Sequence, residues 1–111
     1  MSKRESLGSF EMMVLLALIR LREDAYGVPI SNEIEERAGR EVAIGSVYAA
    51  LERLEDKGLV LSKRGESTPE RGGRAKKYFR ITAKGLREVR GTQRALVNLW
   101  RGLPELQGGY V

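Results

Sequence analysis

Cysteine and histidine are both missing from this chain of 111 residues. Their absence removes disulfides, thiolate and imidazole metal sites, and every pairing of a nucleophile with a histidine base. No glycine-rich phosphate loop is present. Chemistry would have to run through Lys, Tyr or a carboxylate in a pocket that the sequence does not announce. No enzymatic activity, metal or cofactor is expected. Aromatic residues make up only 6% of the chain, so the core must be built from Leu, Val, Ile and Ala, which favours packed helices over a sandwich. No apolar run reaches the ~18 residues of a membrane span. The opening stretch MSKRESLGSFEMM lacks the apolar core and cleavage site of a signal peptide. A cytoplasmic protein with no membrane partner is expected.

What is there fits one domain, which at this length buries roughly two-thirds of its unfolded surface and folds without staples. The charge is placed unevenly. Lys63, Arg64, Arg71, Arg74, Lys76, Lys77 and Arg80 face only Glu66 and Glu70 in that stretch, which accounts for the whole net charge of +5. A cluster of this kind points to a polyanion, most often nucleic acid. Taken alone, it reads equally well as a solvated surface loop.

Hydropathy patterning supplies the context. Ser9 is placed to cap a first helix from Phe10, apolar on nearly every side through Leu21 and therefore suited to a core or a partner's surface. A second helix is expected from Gly27, with Pro29 in its first turn and Gly39 as its stop. Ile30, Ile34 and Ala38 form its apolar line, and Ser31 to Arg37 its wet face. Glu33, Glu35 and Glu36 there read as solvated rather than catalytic. A third helix is expected over Ile44 to Lys57, ended by Gly58. Its stripe is Ile44, Val47, Leu51 and Leu54, and its other face shows Gly45, Ser46, Tyr48, Ala49, Glu52 and Arg53. Arg53 is set either toward a polyanion or in a pair with Glu52 or Glu55. Strands are expected at Leu59 to Lys63 and Lys77 to Thr82, separated by a long loop with Pro69, Gly72 and Gly73. Two strands alone are marginal, so the hairpin must pack on the helices. Tyr78 and Phe79 read as hairpin core. Thr82 caps a last helix running to about Leu103, before Pro104, with Leu86, Val89, Gln93, Leu96, Trp100 and Leu103 in a heptad-like seam.

The predicted fold is mainly α with a small two-stranded β hairpin: a winged helix-turn-helix over residues 1–81, a long C-terminal helix over 82–104 in the same compact unit, and a flexible tail over 105–111. An α-helix fits the major groove of DNA. Small residues at the start of the third helix permit close approach to base edges, and its N-terminal amides suit phosphates. The basic hairpin then acts as a cationic clamp on the flanking backbone or minor groove.

The stretches AYGVPISNEIEE (25–36), IGSVYAALERLEDKGLV (44–60) and GGRAKKYFRITAKG (72–85) resemble the PadR family of bacterial transcriptional regulators. The likeness covers about residues 7 to 103. It implies a homodimer that binds a palindromic operator in double-stranded DNA, usually as a repressor, and looks like the short class with a single C-terminal dimerisation helix. The familiar wing motif often has Pro where this chain has Ala75. Carried over by position, Ser46, Tyr48, Ala49 and Arg53 of the recognition helix face DNA. With them go Lys63, Arg64, Arg71, Gly72, Gly73, Arg74, Lys76 and Lys77 of the wing. The dimer interface implied is Phe10, Met13 and Leu16 of the first helix with Leu86, Val89, Gln93, Leu96, Trp100 and Leu103 of the last. Some short members sandwich a flat aromatic ligand at such a position. Trp100 is therefore a candidate for a small aromatic effector, or else a plain hydrophobic anchor of the seam. The competing function is a winged-helix protein-interaction module whose basic hairpin meets an acidic partner.

Overall fold

The computed structural model describes residues 7–65 and 76–107. Helices α1 (Ser9–Leu21), α2 (Gly27–Ala38) and α3 (Ile44–Asp56) are followed by strands β1 (Val60–Arg64) and β2 (Lys77–Ile81), then by α4 (Ala83–Trp100). Single 3-10 turns lie at Arg22–Asp24 and Pro104–Leu106. This is the winged helix-turn-helix with a C-terminal helix that the sequence predicts. Arg71, Gly72, Gly73 and Arg74 lie outside the described residues, as do 1–6, the rest of the loop and 108–111.

Three elements start or stop where local chemistry requires. Gly39 closes α2 at φ 65° and Gly58 follows α3 at φ 78°, both in the left-handed region that glycine enters without a Cβ penalty. Thr82 caps α4, its Oγ1 accepting from Gly85 N at 3.0 Å while its O–H donates to Gly58 O at 2.8 Å. Two expectations at helix ends fail. The N-cap of α1 is Gly8, not Ser9, and the amide of Gly8 donates to Glu11 Oε1 at 3.3 Å. Helix α4 stops at Trp100 rather than near Leu103, because Arg101 is extended and Gly102 turns to φ 81°. Leu103 therefore leaves the helical seam, and Glu105 and Leu106 belong to a 3-10 turn where a bare tail is expected.

The core is one aliphatic cluster. Val14, Leu15 and Leu18 of α1 meet Ile30 and Ile34 of α2, and Val47, Leu51 and Leu54 of α3, with Val60 and Phe79 of the hairpin closing it. Two members of predicted apolar stripes drop out: Ala38 is exposed at the end of α2, and Ile44 is exposed at the start of α3. Ser31, set on the wet face by its type, is buried.

The hairpin is antiparallel, with Val60 opposite Ile81, Lys63 opposite Tyr78 and Arg64 opposite Lys77. It is tied to the helices at several points, as a two-stranded sheet must be. Phe79 N donates to Ala25 O, just ahead of α2, at 2.8 Å, and Ser62 Oγ to Glu55 Oε2 of α3 at 2.7 Å, while Thr82 N to Leu59 O at 2.9 Å extends the hairpin's own pairing at its base. Gly85 lets α4 approach closely: a Cβ there would collide with Leu59 O and the Ile81 side chain.

Candidate nucleic-acid interface

The turn between α2 and α3 decides where α3 points. Both backbone groups of Val42 in this turn are held by α2. Its amide donates to Glu35 Oε2 at 3.0 Å, and its carbonyl accepts from Ser31 Oγ at 3.3 Å. Neither partner is the solvated side chain that residue type suggests. Glu33 is half-buried and paired with Arg37 at 2.6 Å, and of the three acids Glu36 alone is exposed. With the turn pinned, Val47, Leu51 and Leu54 seal one side of α3 at 0% exposure. Gly45, Ser46, Tyr48, Ala49, Glu52 and Arg53 remain exposed on the other. Ala43 precedes the helix and offers no side-chain acceptor, so the first-turn amides of Ile44 and Gly45 have no cap.

Tyr48 joins this face to the hairpin. Its ring lies 6.5 Å from that of Phe79, and it covers Gly27, where a Cβ would run into the ring and hydroxyl. Lys77 Nζ sits 5.7 Å from the centroid of the same Phe79 ring. The line Tyr48–Phe79–Lys77 therefore runs from the exposed face of α3 onto the basic edge of the hairpin. Arg64 stands directly opposite Lys77, a like-charged pair that costs stability in a sheet. Lys63 and Arg64 are exposed on β1. On the opposite face of the sheet, Tyr26 and Tyr78 meet edge-on at 5.3 Å, and Lys76 Nζ lies 3.8 Å from the Tyr26 centroid. Tyr78 is thus half-buried against Tyr26 and Phe79 is buried, which fits hairpin core for both.

Arg53 pairs with neither Glu52 nor Glu55. Its Nε donates to Glu11 Oε2 at 2.9 Å across the α1–α3 contact, and Lys57 Nζ donates to Glu11 Oε1 at 3.0 Å. Burial alone would raise the pKa of Glu11, but the bonds from Arg53, Lys57 and the Gly8 amide, with the Lys57 charge, outweigh it and hold it lowered. Beside this pair opens a groove of about 360 Å³ whose lining includes Phe10, Arg40, Glu41, Ser46, Ala49 and Arg53. Arg40 crosses it with its guanidinium 5.8 Å from the Phe10 centroid.

Of the predicted interface, Ser46, Ala49 and Arg53 line one edge of the exposed side of α3 and Tyr48 the other, toward the hairpin, while Lys63, Arg64, Lys76 and Lys77 cluster at the loop end of the hairpin. Sequence reasoning missed Glu11, Arg40, Lys57 and Tyr26. Only Glu11 leaves a signal: it is the single acid inside an apolar helix.

At the far end, Leu96, Trp100 and Leu103 are 52%, 59% and 42% exposed. Gln93 is also exposed. Leu16 is exposed on α1, Phe10 and Met13 are partly covered by the core, and Leu86 is half-buried. Val89 departs from the predicted seam: it is buried in this chain's own core. Leu99, at 74%, is more exposed than any apolar member of that seam. Among the described residues no helix is long and apolar enough to cross a membrane.

The model of the transcriptional regulator PadR-like family matches residues 15–91. A PadR-like transcription factor from Bacteroides fragilis is 29% identical, with 81% of this chain and 82% of that one aligned at a TM-score of 0.69. A PadR family transcriptional regulator from Eggerthella lenta is also 29% identical, covering 89% of this chain and 84% of its own at 0.68. A PadR family regulator from Clostridium difficile, 24% identical, shares the fold over 86% of this chain and all of its own, at 0.64. No curated protein matches the chain.

Proposed function

The chain belongs to the PadR-like family of transcriptional regulators, and from that premise we propose that it represses transcription as a homodimer bound to a palindromic operator. Family and fold make it a DNA-binding regulator rather than an enzyme. The observation that supports the way a duplex would be met is the run from Tyr48 through Phe79 to Lys77. It sets the exposed side of α3 and the basic loop end of the hairpin side by side, so one duplex can meet both. Ser46, Tyr48 and Ala49 enter the major groove, and Lys63, Arg64, Lys76 and Lys77 meet phosphates; Arg71, Gly73 and Arg74, outside the described residues, are DNA contacts by the family resemblance alone. Arg64 opposite Lys77 is a repulsion that a bound polyanion relieves.

The bare apolar end of α4 is the surface on which a second copy packs, together with α1. Two recognition helices then lie about one helical turn apart, ~34 Å, matching half-sites of that spacing. Trp100 near the two-fold axis is where a small aromatic effector would stack and release the operator. Such a regulator acts in the cytoplasm, on DNA.

Operator binding by the purified protein, followed by fluorescence anisotropy on duplexes selected in vitro, tests this. Affinity should fall steeply with salt, with a slope of about 0.9 per phosphate neutralised. Changing Lys63, Arg64 and Lys77 together to Ala should weaken binding and flatten that slope. A slope that stays the same removes the wing from the mechanism. A protein that selects no duplex at all, and instead retains acidic partners, is an interaction module.

A further inference from the structure

Glu11 holds Arg53 of α3 and Lys57, the residue that caps the end of that helix, at once. It is only 6% exposed, and its oxygens take Arg53 Nε at 2.9 Å and Lys57 Nζ at 3.0 Å. The bond to Nε uses the inner edge of the guanidinium and leaves its two terminal nitrogens. Among the described residues those nitrogens make no hydrogen bond, and the side chain stays 54% exposed, lining the groove with Ser46, Ala49 and Arg40. Arg53 lies about 14 Å along the helix axis from Ile44, at 1.5 Å per residue. When the N-terminal turns of a recognition helix sit in the major groove, a residue this far back is level with the sugar-phosphate backbone.

We propose that Glu11 is a positioning residue for DNA binding: it fixes the Arg53 guanidinium across the α1–α3 contact so that its two terminal nitrogens meet one backbone phosphate. The proposal rests on the DNA-binding reading above. A long, loose side chain loses rotamer freedom when it docks; one already held by a carboxylate loses less, a difference of about two- to tenfold in affinity. Simple charge predicts the opposite sign. Glu11 is an anion near a polyanion, so removing it by charge alone should tighten binding. Positioning predicts weaker binding despite the gain in net positive charge.

The test is a cycle of wild type, Glu11→Ala, Arg53→Ala and the double variant, measured by anisotropy on one duplex across a salt series, with thermal unfolding to confirm folding. Glu11→Gln, which keeps an acceptor for Nε, covers the case in which Glu11→Ala does not fold. Glu11→Ala should bind about two- to tenfold more weakly, with no further loss once Arg53 is Ala. Glu11→Gln should recover most of the affinity. Arg53→Ala should lower the salt slope by about 1 and weaken all sequences alike. The Arg53 Nε–H resonance of the free protein should exchange slowly in wild type and quickly in Glu11→Ala, an assay that needs no DNA. Tighter binding by Glu11→Ala, or the same change in both Arg53 backgrounds, overturns the proposal. A slow Nε–H in a wild type that binds no duplex overturns the DNA-binding reading, and the proposal with it, while leaving the ion pair standing.

Discussion

Leu51 on α3 and Leu96 on α4 hold like positions in the apolar stripes of their helices, yet Leu51 is 0% exposed and Leu96 52%. The first stripe meets α1, α2 and the hairpin and is sealed within one chain. The second follows the same spacing, but past Val89 none of the described residues covers it. Leu96, Trp100 and Leu103 stand bare, along with Val97 and Leu99. An amphipathic pattern states that a face is to be buried; it does not state by what. Around α3 the cover comes from sequence neighbours joined by short turns. At the end of α4 the same physical demand is left unmet by the described residues.

The contrast is broken most severely by charging the bare end. Replacing Leu96 and Trp100 with Lys should yield a folded monomer by light scattering. Operator affinity should drop about 100- to 10,000-fold as the two half-sites become separate binding events. A charged variant that remains dimeric would place the interface elsewhere. Leu51→Ala sharpens the other side of the comparison. It should cost about 2–5 kcal/mol of unfolding free energy by leaving a cavity in a sealed core, read from urea midpoints. The same change at Leu96, measured in a monomeric background, should cost under about 0.5 kcal/mol.

The smallest effect concerns Glu11, where the sealed region meets the exposed face of α3. Its folded pKa lies below its ordinary value of 4.5, so its contribution is complete above that value and fades as pH falls through the lower folded pKa. Because Arg53 is half exposed, the contribution should be about 0.2–1 kcal/mol. The urea midpoints of wild type and Glu11→Gln should differ by a constant amount above about pH 5 and converge in acid. Parallel curves down to pH 3 would leave Glu11 without a linked proton.

Much of this fold is legible before any coordinates. Pro29, Gly39 and Gly58 act on the backbone they belong to, so the limits of α2 and the end of α3 follow from local sterics. The alternation around Phe79 reports which side of the hairpin is inward. The basic segment between the strands is visible as composition. Where reading failed, the deciding partner lay far off in sequence. Ser31 and Glu35 look like solvent-facing residues, yet a turn seven to eleven residues downstream uses both. Arg53 has acids beside it in sequence and pairs with one on another helix, 42 residues away. At Trp100 the heptad-like spacing suggested three more helical residues, and Gly102 ended the helix instead.

The order of elements, the apolar side of α2 and of α3, and the place where positive charge collects were determined by the sequence alone, because propensity, period and charge are properties of neighbouring residues. The tertiary structure decided that Tyr48 bridges to Phe79, that Glu11 holds Arg53 and Lys57, and that Val89 is enclosed while Leu96 is not. Those outcomes depend on which surfaces come within a few ångströms once the core has closed, and no local pattern encodes that distance.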